Sequence, residues 1–163
     1  MKKLGTEFKW AVAFTLMGMI WVGGEKLVGL HDVHIEKHPI YTNLIAFPAI
    51  ALYIFSINEI RRRFYGGRIT YKQAVSSGLI ITGFITLLSP LAQYITMTYI
   101  TPDFFKNAIH YGVSHNLTTQ ADAEAYFNLK SYILQGLAGS AILGVITTLI
   151  VSVFASRKNK PVA

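Results

Sequence analysis

The chain of 163 residues has no cysteine and little charge. Without cysteine there is no disulfide framework, no thiolate metal site and no thiol nucleophile, and cysteine usage says nothing about redox compartment. Charged residues make up 14% of the chain, against about 25% in typical soluble domains. The 15 basic and 8 acidic residues are also unevenly placed, so long runs carry no charge at all. A Gly-rich phosphate loop, a nucleophile elbow, a paired-carboxylate arrangement and a His-Glu-x-x-His segment are all missing. No catalytic signature is left, and no cofactor is implied.

What is there is apolar: 52% of the residues are hydrophobic. Four stretches are long and poor in charge, namely Trp10–Leu30 (interrupted by Glu25 and Lys26), Pro39–Asn58, Ala74–Ile100 and Ser131–Ser156. Each approaches or exceeds the ~20 residues that cross ~30 Å of hydrocarbon at 1.5 Å per residue. The expected fold is all-α, a four-helix transmembrane bundle forming one membrane domain over 1–163. Its spans fall at about 9–30, 39–59, 73–100 and 131–156, with short amphipathic helices in an outer loop at 101–130. Pro48 and Pro90 each remove a backbone donor and should kink the second and third spans, which neighbouring helices can tolerate. Met1-Lys2-Lys3 followed by Ala11–Val22 is shaped like a signal peptide. No small-x-small cleavage site precedes Glu25, and apolar residues resume at Leu27, so a retained helix is expected.

Orientation follows from basic residues near span ends. Lys2, Lys3, Lys9, Arg61, Arg62, Arg63, Arg68, Lys72, Arg157, Lys158 and Lys160 fall on one side, against Lys37, Lys106 and Lys130 on the other, with Lys26 inside the first span. Eleven against three puts both termini and the 59–73 loop in the cytoplasm. Acidic residues run the other way, with Asp32, Glu36, Asp103, Asp122 and Glu124 outside and Glu7 and Glu59 inside. The net charge of +7 is thus a property of the cytoplasmic face. It suits membrane lipids as partners, at about 1 kcal/mol per basic residue near anionic headgroups. A nucleic-acid partner is not expected, since it would need a soluble basic fold.

In the outer loop, Pro102 can open a helix through Phe104, Phe105 and Ile109 with Gly112 as its stop. Thr119 and Asp122 resemble a capping box for a second helix through Tyr126 and Phe127. Phe104, Phe105, Tyr126 and Phe127 are expected at the membrane interface or capping the bundle. Asn116-Leu117-Thr118 matches a glycosylation acceptor, a triplet common by chance.

All five histidines lie in the two outer loops, three of them in His31-Asp32-Val33-His34-Ile35-Glu36-Lys37-His38. His31, Asp32, His34 and His38 are therefore candidate ligands for zinc or another divalent ion, although the spacing is that of no known motif. Pro39 prevents a regular helix from aligning His34 with His38. The other reading is a solvated loop with a helix-terminal histidine.

Glu25 and Lys26 stand out because a charge near mid-membrane costs about 2.5–3.5 kcal/mol. Adjacent residues on a helix point about 100° apart, so the two do not simply neutralise each other. Lys26 can snorkel outward, whereas Glu25 is too short and needs a partner. Counted inward from the outer ends of the spans, Glu25, Asn43, Gln93 and Gln135 fall in one layer. With Lys26 they form either an outward-opening polar pocket that binds a ligand or a hydrogen-bonded layer that fixes helix register. Gly136, Ser140 and Gly144 repeat every four residues and leave a stripe where another helix can approach closely. Gly78 with Thr82 is a weaker version of the pattern.

The residues Glu25-Lys26-Leu27-Val28-Gly29-Leu30-His31-Asp32, Ser89-Pro90-Leu91-Ala92-Gln93-Tyr94-Ile95 and Ile100-Thr101-Pro102-Asp103-Phe104-Phe105 resemble bacterial membrane proteins grouped as domain-of-unknown-function family 4199. The resemblance in layout covers nearly the whole chain. It implies four spans and a bacterial inner (cytoplasmic) membrane without naming a reaction. It also marks Glu25, Lys26, His31, Asp32, Pro90 and Gln93 as residues inside the matching stretches.

Three functional classes follow as expectations. The first is a non-enzymatic bundle, a scaffold or partner subunit of an envelope complex, with a protein partner or a second copy of itself. The second is a binder or carrier of a lipid or small solute through Glu25, Lys26, Asn43, Gln93 and Gln135. The third is a periplasm-facing metal-dependent enzyme using His31, Asp32 and His34.

Overall fold

The computed structural model describes Lys2–Ser156. Among these residues all regular structure is helical. The helices are α1 (Lys3–Leu27), α2 (His38–Tyr41), α3 (Ala46–Phe64), α4 (Tyr71–Ile95), α5 (Phe104–Ser114), α6 (Gln120–Tyr126) and α7 (Leu129–Ala155). Short 3-10 turns at Ile35–Lys37 and Thr42–Ile45 flank α2, and a π-turn at Thr96–Ile100 prolongs α4.

Three helical runs among the described residues are long and apolar enough to cross a membrane: Ile35–Phe64, Tyr71–Ile100 and Leu129–Ala155. The chain is an all-α helical membrane protein. Helix α1 has the length, 25 residues, but Glu7, Lys9, Glu25 and Lys26 dilute its apolar character. The expected first span, at about 9–30, therefore meets the requirement in length alone.

The expected cytoplasmic loop at 59–73 is shorter than its charges suggested. Arg61, Arg62 and Arg63 continue α3 to Phe64, because arginine is a good helix former and Arg63 donates to Glu59 one turn back at 2.8 Å. Arg157, Lys158 and Lys160, counted toward orientation, lie outside the described residues, as does Met1.

The chain divides into two compact units. Among the described residues, the first comprises 2–14, 46–87 and 138–156. Its core gathers Ala11, Tyr53, Ile57, Ile60, Ile69, Ala74, Ile81, Ile85 and Val151. Small residues set the approach of α4 and α7 here. Gly78 lies against the Thr148 side chain, and a Cβ on Gly144 would sit 2.5 Å from Thr82 Cγ2 and 2.9 Å from the Tyr53 hydroxyl. Ser140 donates to Thr86 at 3.3 Å. Tyr53 donates to Thr82 at 2.6 Å, and Thr82 donates in turn to the Gly78 carbonyl at 2.9 Å. At α1 and α3, Glu59 accepts from Lys9 at 2.5 Å and from the Trp10 indole at 2.7 Å.

The second unit comprises Thr15–Ile45 and Leu88–Leu137. Gly136 belongs to it, with Gln93 Nε2 3.0 Å from where its Cβ would be. The stripe Gly136, Ser140, Gly144 is thus used within the chain, against α4 or its neighbours in each unit.

In this second unit α5 runs past Gly112 to Ser114, so the expected stop at Gly112 is corrected. The helix ends instead at Ser114 and is closed by Asn116, whose φ is 55°. Leu117 N–H bonds Gly112 O at 2.9 Å and Asn116 N–H bonds Val113 O at 3.0 Å, the Schellman pattern with asparagine in place of glycine. Gly112 makes room for Thr118, whose Cγ2 would lie 3.1 Å from a Cβ there. The expected cap of α6 forms: Thr119 accepts from the Asp122 N–H at 3.2 Å and donates to its carboxylate at 2.7 Å.

Candidate functional site

The local fold that builds the site begins where α1 stops. Gly29 has φ 79°, Gly29 N–H bonds Lys26 O at 3.0 Å, and Leu30 N–H bonds Glu25 O at 2.9 Å. These are the two bonds of a Schellman C-cap, which needs a residue in the left-handed region at this position. The turn reverses the chain within a few residues and lays His31 back over Glu25 in the last turn of α1. A second turn, the 3-10 segment Ile35–Lys37, delivers His38 to the same place, with Pro39 opening α2 where its missing N–H costs no helical bond.

The result is a buried cluster of one carboxylate and two imidazoles. Glu25 is 5% exposed and His31 4%. Glu25 Oε2 lies 3.4 Å from His31 Nε2 and 3.8 Å from His38 Nε2, and one ligand atom from each residue falls within 4.8 Å of the others. The rings of His31 and His38 meet edge to face at 5.2 Å, and both pack on Phe104, at 4.9 and 5.1 Å.

Neighbours hold each member from outside. The Trp21 indole donates to Glu25 Oε1 at 2.7 Å, and the Thr42 side chain interacts with this carboxylate. His31 Nδ1 pairs with the Thr101 hydroxyl at 2.9 Å, and Asn107 donates to the His31 carbonyl at 2.9 Å. Thr101 is in reach because the π-turn at Thr96–Ile100 closes with Thr101 N–H on Thr96 O at 2.9 Å, one residue wider than an α-turn. The same turn exposes the Ile100 carbonyl, which accepts from Lys26 Nζ at 2.7 Å. Single π-turns inside helices often occur at functional sites.

His38 also lines a cavity of about 390 Å³, within the range of small-molecule sites. Thr42 forms its polar edge together with His38, while Phe104, Phe127, Tyr126 and Tyr132 supply aromatic walls. Tyr132 packs on Phe105 at 4.9 Å and on Phe104 at 5.8 Å between ring centres.

Sequence reasoning named both halves of this cluster but joined them differently. Of the histidine-run residues, the structure brings His31 and His38 to Glu25. Asp32 instead accepts from the Val33 N–H at 2.5 Å, and His34 is half exposed with Glu36 at 3.9 Å as its nearest acid. Of the supposed polar layer, Glu25 alone reaches the cluster. Asn43 and Gln135 are exposed and bond within their own segments, to Pro39 O at 2.7 Å and Ser131 Oγ at 2.9 Å. Gln93 lies against Gly136, and Lys26 is satisfied by Ile100. Trp21, Thr42, Thr101 and Asn107 were not anticipated. Trp21, one helical turn before Glu25, had a readable signal in that spacing; Thr101 and Asn107 meet His31 across 70 and 76 residues and had none.

The family model described as "Protein of unknown function (DUF4199)" matches residues 9–157, and the chain belongs to that family. No curated protein and no solved structure matches it.

Proposed function

We propose that this DUF4199 protein binds a small apolar or amphipathic molecule in the cavity of its second unit. The observation that carries the reading is the cavity's chemistry: aromatic walls of Phe104, Phe127, Tyr126 and Tyr132, with a polar end at His38 and Thr42 backed by buried Glu25. Ligand sites of this size are mostly apolar with few polar groups that fix orientation. A molecule with an aromatic or alkyl body and one hydrogen-bonding group at its end meets both.

The test is native mass spectrometry of the full chain purified in lipid nanodiscs. Wild-type protein should carry a small molecule that Ala108→Trp lacks, since Ala108 lines the cavity and a tryptophan there fills it. Equal retention by both proteins, or none by either, refutes the reading.

The basic residues support a topology in which the α5–α6 segment faces outward and α1 starts in the cytoplasm, as in a four-span inner-membrane protein. The absence of cysteine gives this a clean test. Exposed His115→Cys should react with an impermeant thiol reagent in intact cells, and exposed Arg68→Cys only after lysis. The reverse pattern would invert the topology.

A further inference from the structure

We propose that Glu25, His31 and His38 bind a single transition-metal ion of the zinc class. The spacing inside the cluster is the first argument. Zinc bonds of 2.0–2.1 Å to nitrogen and oxygen set the ligands of a tetrahedron about 3.3 Å apart. Glu25 Oε2 stands 3.4 Å from one imidazole nitrogen and 3.8 Å from the other. The first is a long hydrogen bond and the second is beyond one, against a usual N···O range of about 2.7–3.2 Å.

The contacts outside the cluster are tight by comparison. Trp21 holds the second carboxylate oxygen at 2.7 Å, Thr101 holds His31 Nδ1 at 2.9 Å and Asn107 holds the His31 carbonyl at 2.9 Å. Loose inner edges with tight outer ones suit a ligand shell, whose members are held from outside and stand about one ion's width apart. The hydroxyl on His31 Nδ1 is the kind of outer partner that fixes which ring nitrogen is free to ligate.

The donor set selects the ion. Two imidazoles and one carboxylate suit zinc and its first-row neighbours, while calcium asks for six to eight oxygens. Three protein ligands leave one position open, as in catalytic zinc sites. His38, the least buried of the three at 21% side-chain exposure, is also the one on the cavity wall, so the cluster is reached from that side. Metal binding at the cluster does not depend on what occupies the cavity.

The experiment uses the full chain in detergent, with any purification tag removed, dialysed against zinc chloride and assayed for metal. Affinity is measured by competition with a chromophoric chelator. Wild type should hold one equivalent. His38→Ala, a change at the least buried ligand, should weaken binding by at least about tenfold, the lower bound for losing even an outer partner of a ligand. His34→Ala should bind as wild type does, and so should Ala108→Trp, which separates this site from the cavity. Cobalt in place of zinc should give the intense visible bands of a four- or five-coordinate ion, absent in His38→Ala. Zinc well under one equivalent in wild type, undiminished affinity in His38→Ala, or a weak octahedral cobalt spectrum would each overturn the proposal.

Discussion

Two glycines of α7, Gly139 and Gly144, separate helix propensity from helix packing. Replacing either with alanine gives the same intrinsic gain, up to about 1 kcal/mol. They differ in what the new methyl group meets. At Gly139 nothing lies within 4 Å, whereas at Gly144 the Cβ would be 2.5 Å from Thr82 Cγ2, 2.8 Å from Thr82 Oγ1 and 2.9 Å from the Tyr53 hydroxyl. Thr82 cannot swing away cheaply, because it is β-branched and donates to the Gly78 carbonyl while accepting from Tyr53. Relief therefore means moving α7 or breaking the Tyr53–Thr82 bond. Overpacking of this kind costs about 1–3 kcal/mol. At 2–4 °C per kcal/mol for a chain of this size, Gly144→Ala should melt roughly 2–12 °C below Gly139→Ala in the same detergent, followed by tryptophan fluorescence. Identical melting temperatures would show that the α4–α7 approach in this unit is looser than the geometry requires.

Gly29→Ala places a Cβ at φ 79° and 2.6 Å from Val33 Cγ2. It should cost about 1–2 kcal/mol from the left-handed conformation alone, read as a lower melting temperature and faster hydrogen exchange over Leu30–His34. Thr101→Val keeps the shape but removes the hydroxyl from His31 Nδ1. It should lower zinc affinity 10–100-fold while the protein still folds, as the chelator competition will report. Thr119→Ala removes the cap of α6 and should destabilise by about 0.5–2 kcal/mol, seen as increased exchange confined to Gln120–Tyr126.

Legibility in the sequence tracked the range of the interaction. Helix existence came from apolar runs, and the Thr119–Asp122 cap from a three-residue spacing, because both are local. The α5 terminus was misplaced since Gly112 and Asn116 both tolerate a helix end, and the choice between them rests on Thr118 needing the space beside Gly112. The polar layer was read from depth alone. Depth along a span does not fix azimuth, and Asn43 and Gln135 are exposed. His31 and His38 were legible as candidate ligands, but their partner was sought in the same loop. The Gly29 turn shows why Glu25 was the better choice. Six residues separate Glu25 from His31, and a Schellman reversal between them brings side chains at that separation face to face.

Glu25 poses an energetic question that metal binding would answer. A carboxylate at mid-membrane costs about 2.5–3.5 kcal/mol, an upper bound for Glu25 near the end of α1, while hydrogen bonds between membrane helices contribute about 0.6 kcal/mol each on average and about 1.7 at most. The Trp21 bond, the His31 contact and the Thr42 interaction offset part of that cost. A divalent cation between the carboxylate and the imidazoles supplies what they leave. Two opposite outcomes follow for Glu25→Gln, which keeps the side chain's size and an acceptor for Trp21 but carries no charge. Without metal the variant should be at least as stable as wild type. With zinc at a hundredfold excess over its dissociation constant, wild type should gain about 2.7 kcal/mol, roughly 5–11 °C in melting temperature, and Glu25→Gln should gain almost nothing. If zinc raises both proteins equally, the ion acts elsewhere on the chain. If the metal-free variant is markedly less stable than wild type, the carboxylate is a structural hydrogen-bond hub and the cluster's spacing reflects packing around Phe104.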